Sequence, residues 1–219
     1  MISTLPKWVE YGALILALVA GFVNAIGLLS FEHQSVSHLS GSATLLGESL
    51  LGSSVQKITH LLGVLLSFLA GSSIAGFLLH GSSLKLGRHY DTALFLESAL
   101  LLIAMGFLYQ GSFYGHFFAS AACGLQNALA TKYSSAVIRT THLTGIFTDL
   151  GIMIGSFIRG EPLDKRKAKL FILIIIGFVV GGTMGALMYT KYQFLAMLFP
   201  VSICLLIAFI YRVYSKNHS

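Results

Sequence analysis

Two short runs hold most of the chemistry this chain can offer. Ser37 to Gly47, SHLSGSATLLG, and Thr141 to Gly151, THLTGIFTDLG, each set a histidine among hydroxyls and glycines inside otherwise apolar sequence. A shift of 104 residues pairs His38 with His142, Leu39 with Leu143, Gly41 with Gly145, Thr44 with Thr148 and Gly47 with Gly151, while Ser37 and Ser40 meet Thr141 and Thr144. His142 and Asp149 stand seven residues apart, so on a continuous helix they share a face with Thr141 and Thr148. An ionised Asp at the centre of a membrane helix costs about 2.5–3.5 kcal/mol on insertion scales, which drives such residues toward the protein interior or water. A proton or cation relay is one use of that face. The other reading is a wet segment end, with Asp149 capping or paired to Arg139 or Arg159.

In the first run Leu45 replaces the acid. Glu48, ten residues after His38, is the substitute carboxylate, or else marks an exposed helix end beside Gly47 and Gly52. His38, His142, Asp149 and Glu48 are of the types that bind transition metals, but no pair has tight ligand spacing, and no metal or other cofactor is expected. Three amides precede the runs: Asn24 in GFVNA, and Gln126 and Asn127 in GLQNA, where Gly21, Asn24 and Ala25 match Gly124, Asn127 and Ala128 at a shift of 103. Amides inside membrane helices either tie helices together, at about 0.6–2 kcal/mol each, or face a shared cavity. The expected substrate or ion pathway is therefore Asn24, His38, Ser40, Thr44, Glu48, Gln126, Asn127, Thr141, His142, Thr144, Thr148 and Asp149. Glu97 is expected at a membrane edge or on the cavity, and His60 and His116 at helix ends in the interface.

The elements that must position these residues are membrane helices. With 55% hydrophobic residues, 10% charged residues and a mean hydropathy of +0.81, most of the 219 residues have lipid as their solvent. The net charge of +6 falls in loops between apolar spans, so topology accounts for it and no nucleic-acid partner is expected. Cys123 and Cys204 lie in apolar segments and read as packing residues. Crossing about 30 Å of hydrocarbon takes roughly 20 apolar residues. Six stretches qualify, about 9–31, 58–80, 92–110, 113–132, 169–190 and 193–213, while about 36–54 and 136–158 carry the polar runs.

Lys and Arg accumulate in short cytoplasmic loops. With six spans, Lys7, Lys85, Arg88, Lys132, Arg139, Arg159, Lys165, Arg166, Lys167, Lys169, Arg212 and Lys216 share one side against Lys57 and Lys191, 12 to 2; with eight spans the split is 9 to 5. The expected architecture is an all-α polytopic bundle of six spans plus two re-entrant or broken polar segments, with both termini cytoplasmic. Further pairing of Phe68 and Gly71 with Phe178 and Gly181, at a shift of 110, divides one membrane domain, 1–219, into repeats at about 8–110 and 112–214. Three spans per repeat make the repeats inverted; eight spans make them parallel. The ladder Gly177, Gly181, Gly185, echoed by Ser67, Gly71, Ala75, lets helix backbones approach closely.

Gly-x-x-Asn-Ala followed by His-x-Ser-Gly, then Gly-Leu-Gln-Asn-Ala and Arg-Thr-Thr-His-Leu-Thr-Gly, resembles the bacterial YoaK family of integral membrane proteins, also called the domain of unknown function 1275. The resemblance covers nearly the whole chain and implies a six-or-so-span inner-membrane protein. The first half departs from the family pattern, with Asn24 where an Asp is usual and Ser40-Gly41-Ser42 where Thr-Gly-Asn is usual. No Ser-His-Asp set, paired carboxylate or phosphate loop argues for an enzyme. The leading expectation is a small secondary transporter or permease, with the lipid bilayer, an unidentified small molecule or ion, and a second copy of the chain as partners. A non-transporting membrane subunit ranks next, and an intramembrane enzyme using His142 and Asp149 third.

Overall fold

The computed structural model describes residues 8–31, 33–79, 89–134 and 138–217. Lys7, Lys85 and Arg88, which enter the charge partition above, lie outside the described residues. The chain runs α1 (Trp8–Leu29), α2 (Leu39–Ser49), α3 (Val55–Leu78), α4 (Tyr90–Tyr109), α5 (Tyr114–Tyr133), α6 (Leu143–Ile158), α7 (Lys165–Tyr192), a 3-10 turn (Gln193–Met197) and α8 (Leu198–Asn217), and no strand occurs among the described residues. Among the described residues four stretches are long and apolar enough to cross a membrane: Val9–Leu29, Val55–Leu78, Tyr90–Tyr109 and the 49-residue run Lys165–Val213. That last run holds two helices, broken where Gln193 takes φ 50. The 20-residue α5 is long enough but more polar, carrying His116, Ser120, Gln126, Asn127, Thr131 and Lys132. At 1.5 Å per residue α2 is about 16 Å long and α6 about 24 Å, both short of a bilayer's hydrocarbon.

Local signals set the ends. Ser54 caps α3 by accepting the Lys57 N–H, and Asp164 caps α7 by accepting the Lys167 N–H at 3.0 Å, the roles such residues fill at helix starts. Gly111, at φ 73, closes the tight turn from α4 to α5.

Glycines determine which helices touch. A methyl at Gly21 of α1 would land on the Phe178 carbonyl of α7, and one at Gly181 of α7 on the Leu18 carbonyl of α1. In the same way Gly124 of α5 lies on the Phe68 carbonyl of α3, and Gly71 of α3 on the Ala121 carbonyl of α5. Backbone meets backbone at both crossings, the close approach that small residues permit in membranes. Hydroxyls fasten the second crossing: Ser72 donates to the Gly124 carbonyl at 3.0 Å and Ser120 to the Val64 carbonyl at 2.9 Å.

The contacts also give the helix directions. Leu14, Leu18 and Phe22 meet Gly177, Gly181 and Gly185 in ascending order, so α1 and α7 are parallel. Val64 and Phe68 meet Ser120 and Gly124 likewise, so α3 and α5 are parallel. Ser30, just past the end of α1, hydrogen-bonds His116 near the start of α5 at 2.7 Å, so these two pairs run opposite ways. Tyr90, opening α4, packs against Tyr211 late in α8, the rings tilted by 52° with centroids 5.3 Å apart. Direction therefore alternates through α1, α3, α4, α5, α7 and α8.

Three buried clusters fill the bundle: Phe22, Ile26, Leu101 and Met197 near the end of α1; Val9, Ala13, Ala130, Phe171 and Ile174 near its start; and Leu16, Leu94, Leu125 and Ala208 between. Ile146 of α6 joins the second cluster and Val36, ahead of α2, the first. The two short helices are thus tied into opposite ends of the bundle.

Candidate functional site

Asn24, little more than a turn before the end of α1, holds the segment that leads into α2. Its Oδ1 accepts the Ser35 and Ser37 hydroxyls and the Ser37 N–H, the last two at 2.8 and 3.3 Å. Asn127 on α5 occupies the matching place before α6, where its Oδ1 accepts the Thr141 N–H at 3.5 Å, a long and weak bond. Chain that would otherwise carry unsatisfied backbone groups through a helical bundle is thereby folded back into it.

His38 and His142 then stand at the N-cap positions of α2 and α6 with similar backbone angles, φ −95, ψ 72 and φ −95, ψ 56. Neither side chain caps its helix. Each imidazole lies back over the glycine three residues on, and a Cβ at Gly41 or Gly145 would meet ring atoms. The spacing His-x-x-Gly therefore has a steric cause. One turn further, Thr44 donates to the Ser40 carbonyl and Thr148 to the Thr144 carbonyl, each at 2.9 Å.

The first turns of these two helices open on one cavity of about 630 Å³. Ser37, His38 and Ser40 line it from the first run, and Thr141, His142 and Thr144 from the second. Phe68, Ser72 and Gly76 of α3 and Asn127, Thr131 and Lys132 of α5 form its wall, with Arg139 from the connection before α6. Gly76 and Lys132 stand in the last turns of α3 and α5, whereas Phe68 and Asn127 lie just past the middle of those helices. The space therefore extends from that end of the bundle into its interior.

Six of the twelve residues expected on a pathway share this cavity: His38, Ser40, Asn127, Thr141, His142 and Thr144. The other six sit elsewhere. Asn24 is 8% exposed and spends its carbonyl on the segment before α2. Gln126 donates Nε2 to the Leu16 carbonyl at 2.9 Å, a tie between α5 and α1. Thr44, Thr148 and Glu48 are exposed beyond the cavity. Asp149 lies 3.8 Å from Lys167 of α7, and no contact among the described residues brings it to His142.

Several groups lie where the residue pattern does not put them. Lys132 and Arg139 read from sequence as topology signals, yet both line the cavity. Glu97 reaches neither an edge nor the cavity: it is 1% exposed, takes a hydrogen bond from the Cys204 thiol, and has Oε2 without a partner among the described residues. His60 and His116 are buried at 3% and 0% exposure rather than interfacial, their rings 5.2 Å apart. Both cysteines are buried and free. Among the described residues no three His, Cys, Asp or Glu side chains converge to hold a metal ion.

Comparison with known proteins places the chain among membrane proteins. Residues 12–210 match the family model described as "Protein of unknown function (DUF1275)". The UPF0700 transmembrane protein YoaK of Bacillus subtilis (strain 168) is 30% identical over 189 residues, covering 79% of this chain and 80% of that protein. No solved structure matches.

Proposed function

We propose that this chain, which belongs to the DUF1275 family of membrane proteins, is a small secondary transporter or permease whose pathway is the cavity between the first turns of α2 and α6. The observation that carries this reading is that one 630 Å³ space is lined by matching residues of both polar runs, His38 with His142 and Ser40 with Thr144. Secondary transporters commonly place broken helices from two halves around one central site. Non-helical backbone is tolerated at membrane depth where it lines such a space.

On this reading the chain is two inverted repeats. Under the shifts of 103 and 110 residues, Gly21 and Leu18 of α1 become Gly124 and Ala121 of α5, and Phe68 and Gly71 of α3 become Phe178 and Gly181 of α7. The two glycine crossings exchange under that mapping, contact for contact. The alternation of helix direction gives equivalent helices opposite senses, as inversion requires. Six helices span, and α2 and α6, at about 16 and 24 Å, enter and return. The described cations support a bacterial inner-membrane orientation with both termini in the cytoplasm: Lys132, Arg139, Arg159, Lys165, Arg166, Lys167, Lys169 and Arg212 lie at the end where α1 begins, and Lys57 and Lys191 at the other. The cavity then faces the cytoplasm.

The reading is transport rather than catalysis. Compounds that raise the thermal midpoint of the purified protein should enter proteoliposomes containing it, and a bulky maleimide on Ser40→Cys, with Cys123 and Cys204 replaced by Ala, should stop that entry. A compound that stabilises the protein while its gradient persists would make this a binding module instead.

A further inference from the structure

The charge of the cavity is one-sided. Lys132 and Arg139 both line it, no Asp or Glu is among the described residues that do, and neither cation makes an ion pair among the described residues. Four other cations at this end of the bundle are matched. Arg159 pairs with Glu161 at 2.8 Å, Arg166 and Lys169 reach Glu10 at 3.1 and 2.8 Å, and Lys167 takes Asp149 at 3.8 Å. Glu10, Asp149 and Glu161 are thus engaged elsewhere, and Glu48, on α2, is exposed beyond the cavity.

A second, independent feature adds to it. The 11-residue α2 and the 16-residue α6 both begin on the cavity, and no side chain caps either start. The first carbonyl-bonded amides are those of Ser42 and Ile146, so the N–H groups of Leu39, Ser40 and Gly41, and of Leu143, Thr144 and Gly145, have no intrahelical acceptor. Such helix starts carry partial positive charge and bind anions. The Ser40 and Thr144 hydroxyls are further donors, and the volume is that of a small-metabolite pocket.

We infer that the cavity binds a small oxyanion, a carboxylate or phosphate group, with Lys132 and Arg139 supplying charge and the first turns of α2 and α6 supplying N–H donors. This rests on the transport reading for its role, since it names the substrate class of that pathway. The same two side chains disfavour inorganic cations and amines as substrates by like-charge repulsion. A free metabolite and an anionic lipid headgroup share this chemistry, and the test separates them.

Full-length protein in neutral detergent is titrated with inorganic phosphate, succinate, putrescine or phosphatidylglycerol at fixed ionic strength, reading the thermal midpoint and equilibrium binding. Phosphate or succinate should stabilise saturably and putrescine should not. Lys132→Gln and Arg139→Gln should each weaken oxyanion binding roughly tenfold, the scale of one charge-assisted hydrogen bond, with Lys132→Arg retaining it. Arg159→Gln, whose side chain lies outside the cavity, should bind as the parent does. Unliganded midpoints of the variants within a few degrees of the parent verify folding. No response to either soluble oxyanion, a response that survives Lys132→Gln with Arg139→Gln, or stabilisation by phosphatidylglycerol alone would overturn the assignment. The transport reading fails separately: if Ser40→Cys is reached from both sides of the membrane while no oxyanion binds, the pathway stands and only its substrate class falls.

Discussion

Adding one methyl at each glycine of the two helix crossings gives a graded test of the packing that holds the cavity walls apart. At Gly185 a Cβ would sit 2.7 Å from the Phe22 carbonyl oxygen, against about 3.4 Å for ordinary contact, so the helices must part by roughly 0.7 Å. At Gly71 and Gly181 the clash is deeper and is with the Ala121 and Leu18 backbones, which cannot rotate away as a side chain would. Overpacking a tight interior typically costs about 1–3 kcal/mol. Gly185→Ala belongs at the low end, about 1 kcal/mol, and Gly71→Ala and Gly181→Ala at about 3 kcal/mol or beyond, since parting one crossing weakens dispersion contacts along both helices. Gly76→Ala, with nothing within 4 Å of its Cβ, loses nothing and gains up to about 1 kcal/mol of helix propensity. Unfolding in mixed micelles titrated with dodecyl sulfate, followed by circular dichroism, reads all four. Matching losses at Gly71 and Gly181 are expected, because the crossings are equivalent. Parent stability in Gly71→Ala, or a loss at Gly76→Ala as large as that at Gly71→Ala, would refute the backbone-on-backbone crossing.

Asn24→Ala removes the acceptor of three hydrogen bonds and should cost about 2–3 kcal/mol, against about 1 or less for Asn127→Ala with its single long bond, measured by the same titration. Glu10→Gln, which keeps shape but loses the pairs to Arg166 and Lys169, should cost about 1 kcal/mol and less in high salt. His142→Ala should impair uptake far more than Asp149→Ala, since only His142 lines the cavity; equal losses would put the acid back on the pathway. Lys57→Cys, in a background with Cys123 and Cys204 replaced, should react with an impermeant thiol reagent in intact cells, because six spans place the start of α3 outside. Reaction only after cell disruption would favour eight spans.

Local signals made the helices readable: apolar runs near 20 residues and glycines four apart on α7 act within one element, while the caps at Ser54 and Asp164 start α3 and α7 a few residues before the apolar runs at about 58 and 169. Alignment of the two polar runs also pointed to residues that share a space, because His38 and His142 are each the N-cap of a short helix that opens on it. What did not show was the phase of each short helix. A helical wheel puts Asp149 on the face of His142, but His142 is the N-cap, with its ring folded over Gly145, while the helix beyond it carries Asp149 toward Lys167. Lys132 and Arg139 read from the sequence as topology signals and line the cavity as well, two roles that a charge tally cannot separate. Burial of Glu97 against Cys204, and of His60 beside His116, depends on α4 meeting α8 and α3 meeting α5, pairings that leave no mark at those positions in the chain.

Transport through the cavity requires a single water-filled path between α2 and α6 that opens to each face of the membrane in turn. It is tested most directly by the sidedness of Ser40→Cys and Thr144→Cys, each as the sole cysteine, toward an impermeant thiol reagent in right-side-out and inside-out vesicles. Both positions should react from both sides, faster from the face on which α1 begins, the end at which the cavity opens. Reaction from one side alone, or from neither, would contradict the path and leave the cavity a vestibule or a closed core.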